Sequence, residues 1–325
     1  MQLPVLSATA TRRVFAAGVV AQMGIVVTGG LVRLTGSGLG CPTWPDCYGG
    51  SLVPVKNQPQ SFHRWIEFGN RMLTFVVVVV VLLCIAAAWR QVPRRRPLVL
   101  LAAAGLLGVF GQAVLGGLTV LTGLNPYLVA AHFLLSMVLI AVAVALHQRS
   151  ADAADTRPVA LVRVEVVWLT RALVAVAGLV IVVGTLVTGS GPHSGDADHP
   201  ARTGFDVAKI AWLHADTVTL FVGLVVGTLV ALRLVAAPPA ANQRILVVLG
   251  VTLAQGGLGY LQYFTGVPWV LVAFHVLGAT ALWVSVLRLT YAIRERPGGQ
   301  PLAGQPAPAS ASSTAAANLS GAPGA

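Results

Sequence analysis

The sequence predicts an all-α, polytopic membrane protein: eight transmembrane helices forming two pseudo-symmetric four-helix bundles, with both termini cytoplasmic. Three observations predict it. The 325-residue chain is 56% hydrophobic and 10% charged, with a mean hydropathy of +0.81, a composition that soluble domains do not have. Eight apolar runs reach the roughly 20 residues that a span needs. Arginines gather at alternate helix ends, which fixes an orientation.

The runs come in this order. The first, about 14–34, follows Arg12 and Arg13 and ends in a Thr-Gly-Ser-Gly string at 35–38. It is a full span without a small-residue cleavage site, so no cleavable signal peptide is expected. The second, about 66–89, is followed by Arg90, Arg94, Arg95 and Arg96, and the third, about 98–121, ends at Thr122-Gly123. The fourth, about 127–147, is followed by Arg149, Arg157 and Arg163. The fifth, about 167–188, runs into a second Thr-Gly-Ser-Gly string at 188–191, and the sixth, about 207–235, ends beside Arg233. The seventh, about 244–264, starts at Arg244 and ends at Thr265-Gly266. The eighth, about 270–291, carries Arg288 and precedes Arg294 and Arg296. The opposite side carries Arg33, Lys56, Arg64, Arg202 and Lys209. A formal charge of +11 placed this way argues against nucleic acid as a partner and puts both ends of the chain in the cytoplasm of a plasma-membrane protein.

The halves repeat. Gln112 and Gln255, Thr122 and Thr265, and His132 and His275 are each 143 residues apart, and Asn70 aligns with His214 at an offset of 144. Each half holds an even number of spans, so the repeat is parallel, about an axis along the membrane normal. The expected divisions are a first half at 12–148, a cytoplasmic linker at 149–166, a second half at 167–292, and a disordered cytoplasmic tail at 293–325 rich in Pro, Ala, Gly and Ser.

Polar rings inside apolar spans are costly and mark function by default. His214 and His275, near the outer ends of the sixth and eighth spans, suit axial ligation of haem iron by two neutral imidazoles. No CxxCH string is present, so covalent attachment is not expected. His132 is the first-half counterpart of His275, but its second-helix counterpart is Asn70. A first-half site then has one strong ligand and an open position, unless that half has simply decayed. His63, Glu67 and Asn70 share a helix face by their spacing. Glu67 is either a base, proton relay or cation stabiliser, or an interfacial carboxylate paired with Arg64 or Arg71. His63 either lies at the surface or replaces the missing ring at 70. Cys41 and Cys47 flank a short Pro-containing loop on the oxidising side, where a structural or redox-active disulfide is expected. Cys84 reads as an apolar filler. His193 and His199, with Asp196 and Asp198, form a Gly-rich loop with a weak metal-binding pattern. Arg33, Arg64, Arg202 and Lys209 suit either haem propionates or interfacial anchoring.

The strings GGLVRLTGSGLGCPTWPDCYG (30–50), IEFGNRMLT (66–74) and WLHAD (212–216), with the two Gln-to-His segments, resemble the haem A synthase family across about residues 12–292. The resemblance implies oxidation of the C8 methyl of haem O to a formyl group, through two hydroxylations and loss of water from a geminal diol. It also implies a haem b held by His214 and His275, a substrate haem near Glu67, Asn70 and His132, and a cysteine pair at Cys41 and Cys47. Many members carry His where this chain has Asn70; the Asn form is similar to actinobacterial members. Haem O comes from a farnesyltransferase, so that haem O synthase and an electron donor are the expected partners alongside membrane lipid, and homo-oligomers are compatible with the sequence. The competing readings are a two-haem electron-transfer cytochrome b without enzymatic activity, and a transporter built on the parallel repeat.

Overall fold

The computed structural model describes residues 6–152, 155–196 and 199–297. Among them are eight helices, each long and apolar enough to cross a bilayer: α1 Ala8–Leu34, α2 His63–Trp89, α3 Arg96–Leu121, α4 Pro126–Arg149, α5 Val164–Ser190, α6 Val207–Leu234, α7 Pro239–Phe264 and α8 Trp269–Ala292. One two-residue strand pair, β1 Val159–Ala160 with β2 Arg294–Glu295, is antiparallel.

The helices start where capping chemistry allows. Ser7, Asn125 and Asp206 each accept a backbone N–H from the first turn of α1, α4 and α6, which satisfies donors that lipid cannot. Pro126 and Pro239 open α4 and α7, where a missing N–H costs nothing. α7 therefore begins five residues before its apolar run, because Asn242, Gln243 and Arg244 complete a polar first turn that hydropathy does not count. Leu107, Phe75, Leu234 and Phe264 point outward, more than 60% exposed. Such a surface is stable only against hydrocarbon.

Contacts run α1–α2–α3–α4 and back to α1, and α5–α6–α7–α8 and back to α5; α1 with α8, α4 with α8 and α4 with α5 join the two series. Along that seam Val26, Met137, Ile140 and Val144 pack with Phe133, Val276 and Trp283, and Trp283 Nε1 donates to the Met137 carbonyl at 2.9 Å.

Both ends of the molecule are tied. At one end the four loops that follow α1, α3, α5 and α7 meet. Gly38 N–H donates to Gly195 O at 2.8 Å, Arg33 donates to the carbonyls of His193 and Thr188 at 2.6 and 3.0 Å, and a ring nitrogen of His193 bonds Val267 O at 2.9 Å. At the other end the segment between α4 and α5 is latched to the chain after α8. Arg95 meets Asp155 at 2.7 Å and Arg296 meets Asp152 at 3.1 Å, Arg296 also donates to Thr156 O, and Leu161 N–H reaches Ile293 O at 2.9 Å. Residues 293–297, which the sequence assigns to a disordered tail, are instead part of this latch; residues 298–325 lie outside the described residues.

The hydrogen bond from Arg95 holds the Asp155 carboxyl below its usual range. A depressed carboxylate stabilises the fold above its unfolded value near pH 4 and loses that contribution as pH falls through the folded value. Asp155→Asn should therefore lower the thermal midpoint at pH 7 in detergent, and the gap to the parent chain should close toward pH 3.

Candidate functional site

His214 on α6 and His275 on α8 stand at opposite corners of their ring of helices, each helix packing on α5 and α7. Each imidazole lies against a glycine of a neighbour. A Cβ on Gly184 of α5 would come to 3.2 Å from His214 Cε1, and one on Gly259 of α7 to 3.6 Å from His275 Cε1. Glycine thus supplies the notch that the ring occupies. Gln255 fixes the α8 backbone at this level, donating to His275 O at 2.9 Å, and Gly278 leaves the space that the Gln255 amide fills. Nδ1 of each of the two imidazoles is buried without a partner. A buried neutral ring with an uncommitted nitrogen, paired across a bundle, has the chemistry of an axial haem ligand, so these residues fit that group.

The first series repeats half of this arrangement. His132 of α4 lies against Gly116 of α3, where a Cβ would reach 3.1 Å from Cε1, and its Nδ1 is likewise buried and unpartnered. Gln112 donates to His132 O at 3.0 Å and to Ser136 Oγ at 2.7 Å. On α2, Asn70 stands where α6 has His214. Its Oδ1 accepts from Thr28 of α1 at 2.8 Å, so the amide is turned to a helix partner. His63 is tied to the loop: Nδ1 bonds Ser37 Oγ at 2.8 Å, which bonds Thr35 Oγ1 at 2.9 Å.

Glu67 is 6% exposed. Its carboxylate accepts from Cys41 N–H at 2.7 Å and from Arg71 at 2.7 Å. Arg71, the partner one turn further along α2, also donates to the carbonyls of Cys41, Thr43 and Asp46. This pair therefore clamps the 41–47 loop, whose ends are joined by the Cys41–Cys47 disulfide. Asp46 closes the same loop: hydrogen bonds from the Thr43 hydroxyl and Gly50 N–H hold its carboxyl below the usual range. The loop lays the Trp44 indole on Gly117 of α3, where a Cβ would meet the ring at 2.5 Å. Gly117 adjoins Gly116, so the indole and the His132 ring meet α3 at the same level. Gly40 passes so close to the His63 backbone that no side chain fits there.

Arg33 and Arg64 are spent on carbonyls, Arg64 reaching Gln58 O at 2.8 Å, which favours anchoring over propionate binding for these two. His193 bridges loops, and no group of three metal-ligating side chains occurs among the described residues; Asp198 lies outside them. Sequence reasoning did not single out Trp44, Thr28 or the latch. The sequence marks Gly116, Gly117 and Gly259 as small residues for close helix packing or approach of a flat macrocycle, but not that Gly116 and Gly259, 143 residues apart like the histidines, receive those rings.

A family model for cytochrome oxidase assembly protein, COX15-CtaA, matches residues 12–287. The chain belongs to this family. Among curated COX15-CtaA relatives, it is 32% identical over 178 residues to a "Heme A synthase" of Lysinibacillus sphaericus, covering 53% of this chain and 55% of that protein. It is 37% identical over 109 residues to one of Geobacillus kaustophilus, covering 33% and 32%. It is 36% identical over 118 residues to one of Listeria welshimeri, covering 36% and 38%. The matched stretches thus span about half or less of these relatives. Family membership and eight span-length apolar helices together make the chain a multi-pass membrane protein.

Two variants test the clamp. Arg71→Leu leaves Glu67 buried without its charge partner and should cost about 3 kcal/mol of stability, read as thermal unfolding in detergent. Glu67→Gln combined with Arg71→Leu should recover part of that loss. A loss in the double variant equal to the sum of the Arg71→Leu and Glu67→Gln single losses would show that the pair does not act as a unit.

Proposed function

We propose that this chain is a haem A synthase, oxidising the C8 methyl group of haem O to a formyl group by successive hydroxylations, with a haem b resident between α6 and α8. The observation that carries the reading is the pair of buried imidazoles in glycine notches, each with an unpartnered Nδ1, repeated once as His132 without its partner. His214 and His275 would hold haem b through their ring nitrogens. That group supplies one-electron transfer when bound. Haem O would occupy the first half, with His132 as its protein ligand. Asn70 is bonded to Thr28 and would offer no imidazole to the substrate haem. This asymmetry supports an enzyme over a two-haem electron-transfer cytochrome, which is best served by four strong ligands.

In this reading the two series of helices are two four-helix units related by the parallel repeat, the arginine-rich end faces the cytoplasm, and the protein resides in the plasma membrane. The Glu67 carboxylate would stabilise cationic character at the methyl carbon or guide the attacking water. Arg71 and Cys41 N–H would hold that carboxylate in place, and the Trp44 indole would keep bulk water from the face of α3 beside His132. A haem O synthase upstream would supply the substrate; attack of water on the methyl carbon releases two electrons and two protons per hydroxylation, which an external electron acceptor would take up, whereas an electron donor would be the partner if dioxygen were the oxidant.

The test is expression with and without a haem O synthase in cells lacking both activities, followed by extraction and mass spectrometry. Haem A is expected only in the double expression. Two haems b per chain, whatever the haem O supply, would instead establish the electron-transfer cytochrome. His214→Ala and His275→Ala should each abolish retention of haem b while Asn70→Ala leaves it intact. Glu67→Gln should slow formyl production about a hundredfold with haem b content unchanged.

A further inference from the structure

The arginine-rich end holds two groups of cations with different surroundings. Arg95, Arg149 and Arg296 are neutralised by Asp152 and Asp155 in the latch. Arg12, Arg244 and Arg288 have no acidic partner among the described residues, and the segments outside them at this end contain no Asp or Glu. The three come from α1, α7 and α8, and α8 packs on both α1 and α7.

They also share a depth. Phe15, one turn from Arg12, packs with Leu146, next to His147. Ile245, next to Arg244, packs with Leu289, next to Arg288. Leu287 and Tyr291 of α8 pack with Val144 of α4, one turn from His147. Their charges act on one another: Arg12 and Arg244 on both Arg288 and His147, and Arg288 on His147. Arg288 Nε is buried and makes no hydrogen bond. Like charges gathered at a seam between helices, with a donor left unmet, destabilise the fold unless an anion joins them. The positive-inside tendency explains arginines at helix ends; it does not explain three that converge on one seam.

We propose that Arg12, Arg244 and Arg288 form a binding site for a phosphate-bearing anion, the headgroup of an acidic phospholipid lodged at the α1–α8–α7 seam. The lipid source follows from position. The site lies at the ends of membrane-spanning helices, at headgroup level, and guanidinium groups match the phosphodiester oxygens as bidentate donors. An acyl chain would continue along the apolar outer faces of the same helices.

The test uses the full-length protein in detergent and native mass spectrometry, titrating phosphatidylglycerol, phosphatidylcholine and inorganic phosphate separately. One phosphatidylglycerol per chain should be retained in preference to phosphatidylcholine. Each arginine removed should weaken retention about fivefold. Arg288→Gln reports on the seam, and Arg12→Gln, on an exposed side chain at a helix start, reports without risk to folding. Arg13→Gln and Arg233→Gln, exposed arginines at the same end, should change nothing. Equal loss in the controls, or no preference for the acidic lipid, would overturn the site. Inorganic phosphate binding as tightly as the lipid would overturn the lipid assignment. None of these readouts depends on haem chemistry.

Discussion

An imidazole inside a bundle of apolar helices needs room that close-packed helices do not have. The whole arrangement of this protein depends on how that room is made. Each of the three intramembrane rings is received by a glycine of an adjacent helix: His132 by Gly116, His214 by Gly184, His275 by Gly259. Because the space is taken from the neighbouring backbone, the helices stay in contact. Gln112 and Gln255 then bond the carbonyl of the histidine residue itself, so the register of α4 on α3 and of α8 on α7 is set at the level of the site. A polar side chain reaching a polar backbone atom across two helices has no water to compete with it in lipid.

The two halves spend this shared scaffold differently. Only the first carries the Glu67–Arg71 pair, the disulfide loop and the Trp44 indole over Gly117, and only there is the second-helix ring replaced by an amide bonded to Thr28. The second half keeps the paired rings. A buried ion pair is weak evidence for net stability, so the Glu67–Arg71 clamp is better understood as positional: it fixes the covering loop to the helix that carries Asn70.

Much of this was legible in the sequence. Span length shows in hydropathy, and the histidine, glutamine and Thr-Gly positions recur at one offset, so helix count and ring placement follow from local pattern. The departure at Asn70 shows by simple alignment of the halves. What did not show depends on contacts distant in sequence. Arg71 was one of two candidate partners for Glu67, and nothing local tells that it also holds the carbonyls of Cys41, Thr43 and Asp46. The docking of Trp44 on Gly117 joins residues with no periodic relation. The latch hides for another reason: residues 294–296 are charged and followed by Pro297, and only the burial of Ile293, the Asp152 carboxylate and the β1–β2 pairing give the segment a place.

The ties at the two ends have a mechanical consequence. Arg33 and Gly38 bind the first half to the 188–195 stretch at one end, and the latch binds the inter-half segment to the chain end at the other. A machine that works by rocking needs at least one end free to swing. This chain is pinned at both, with Trp283 bonded across the seam between them. These ties span the seam on both sides of the level at which His132, His214 and His275 sit, so a rocking motion of one series against the other would have to break them at both ends.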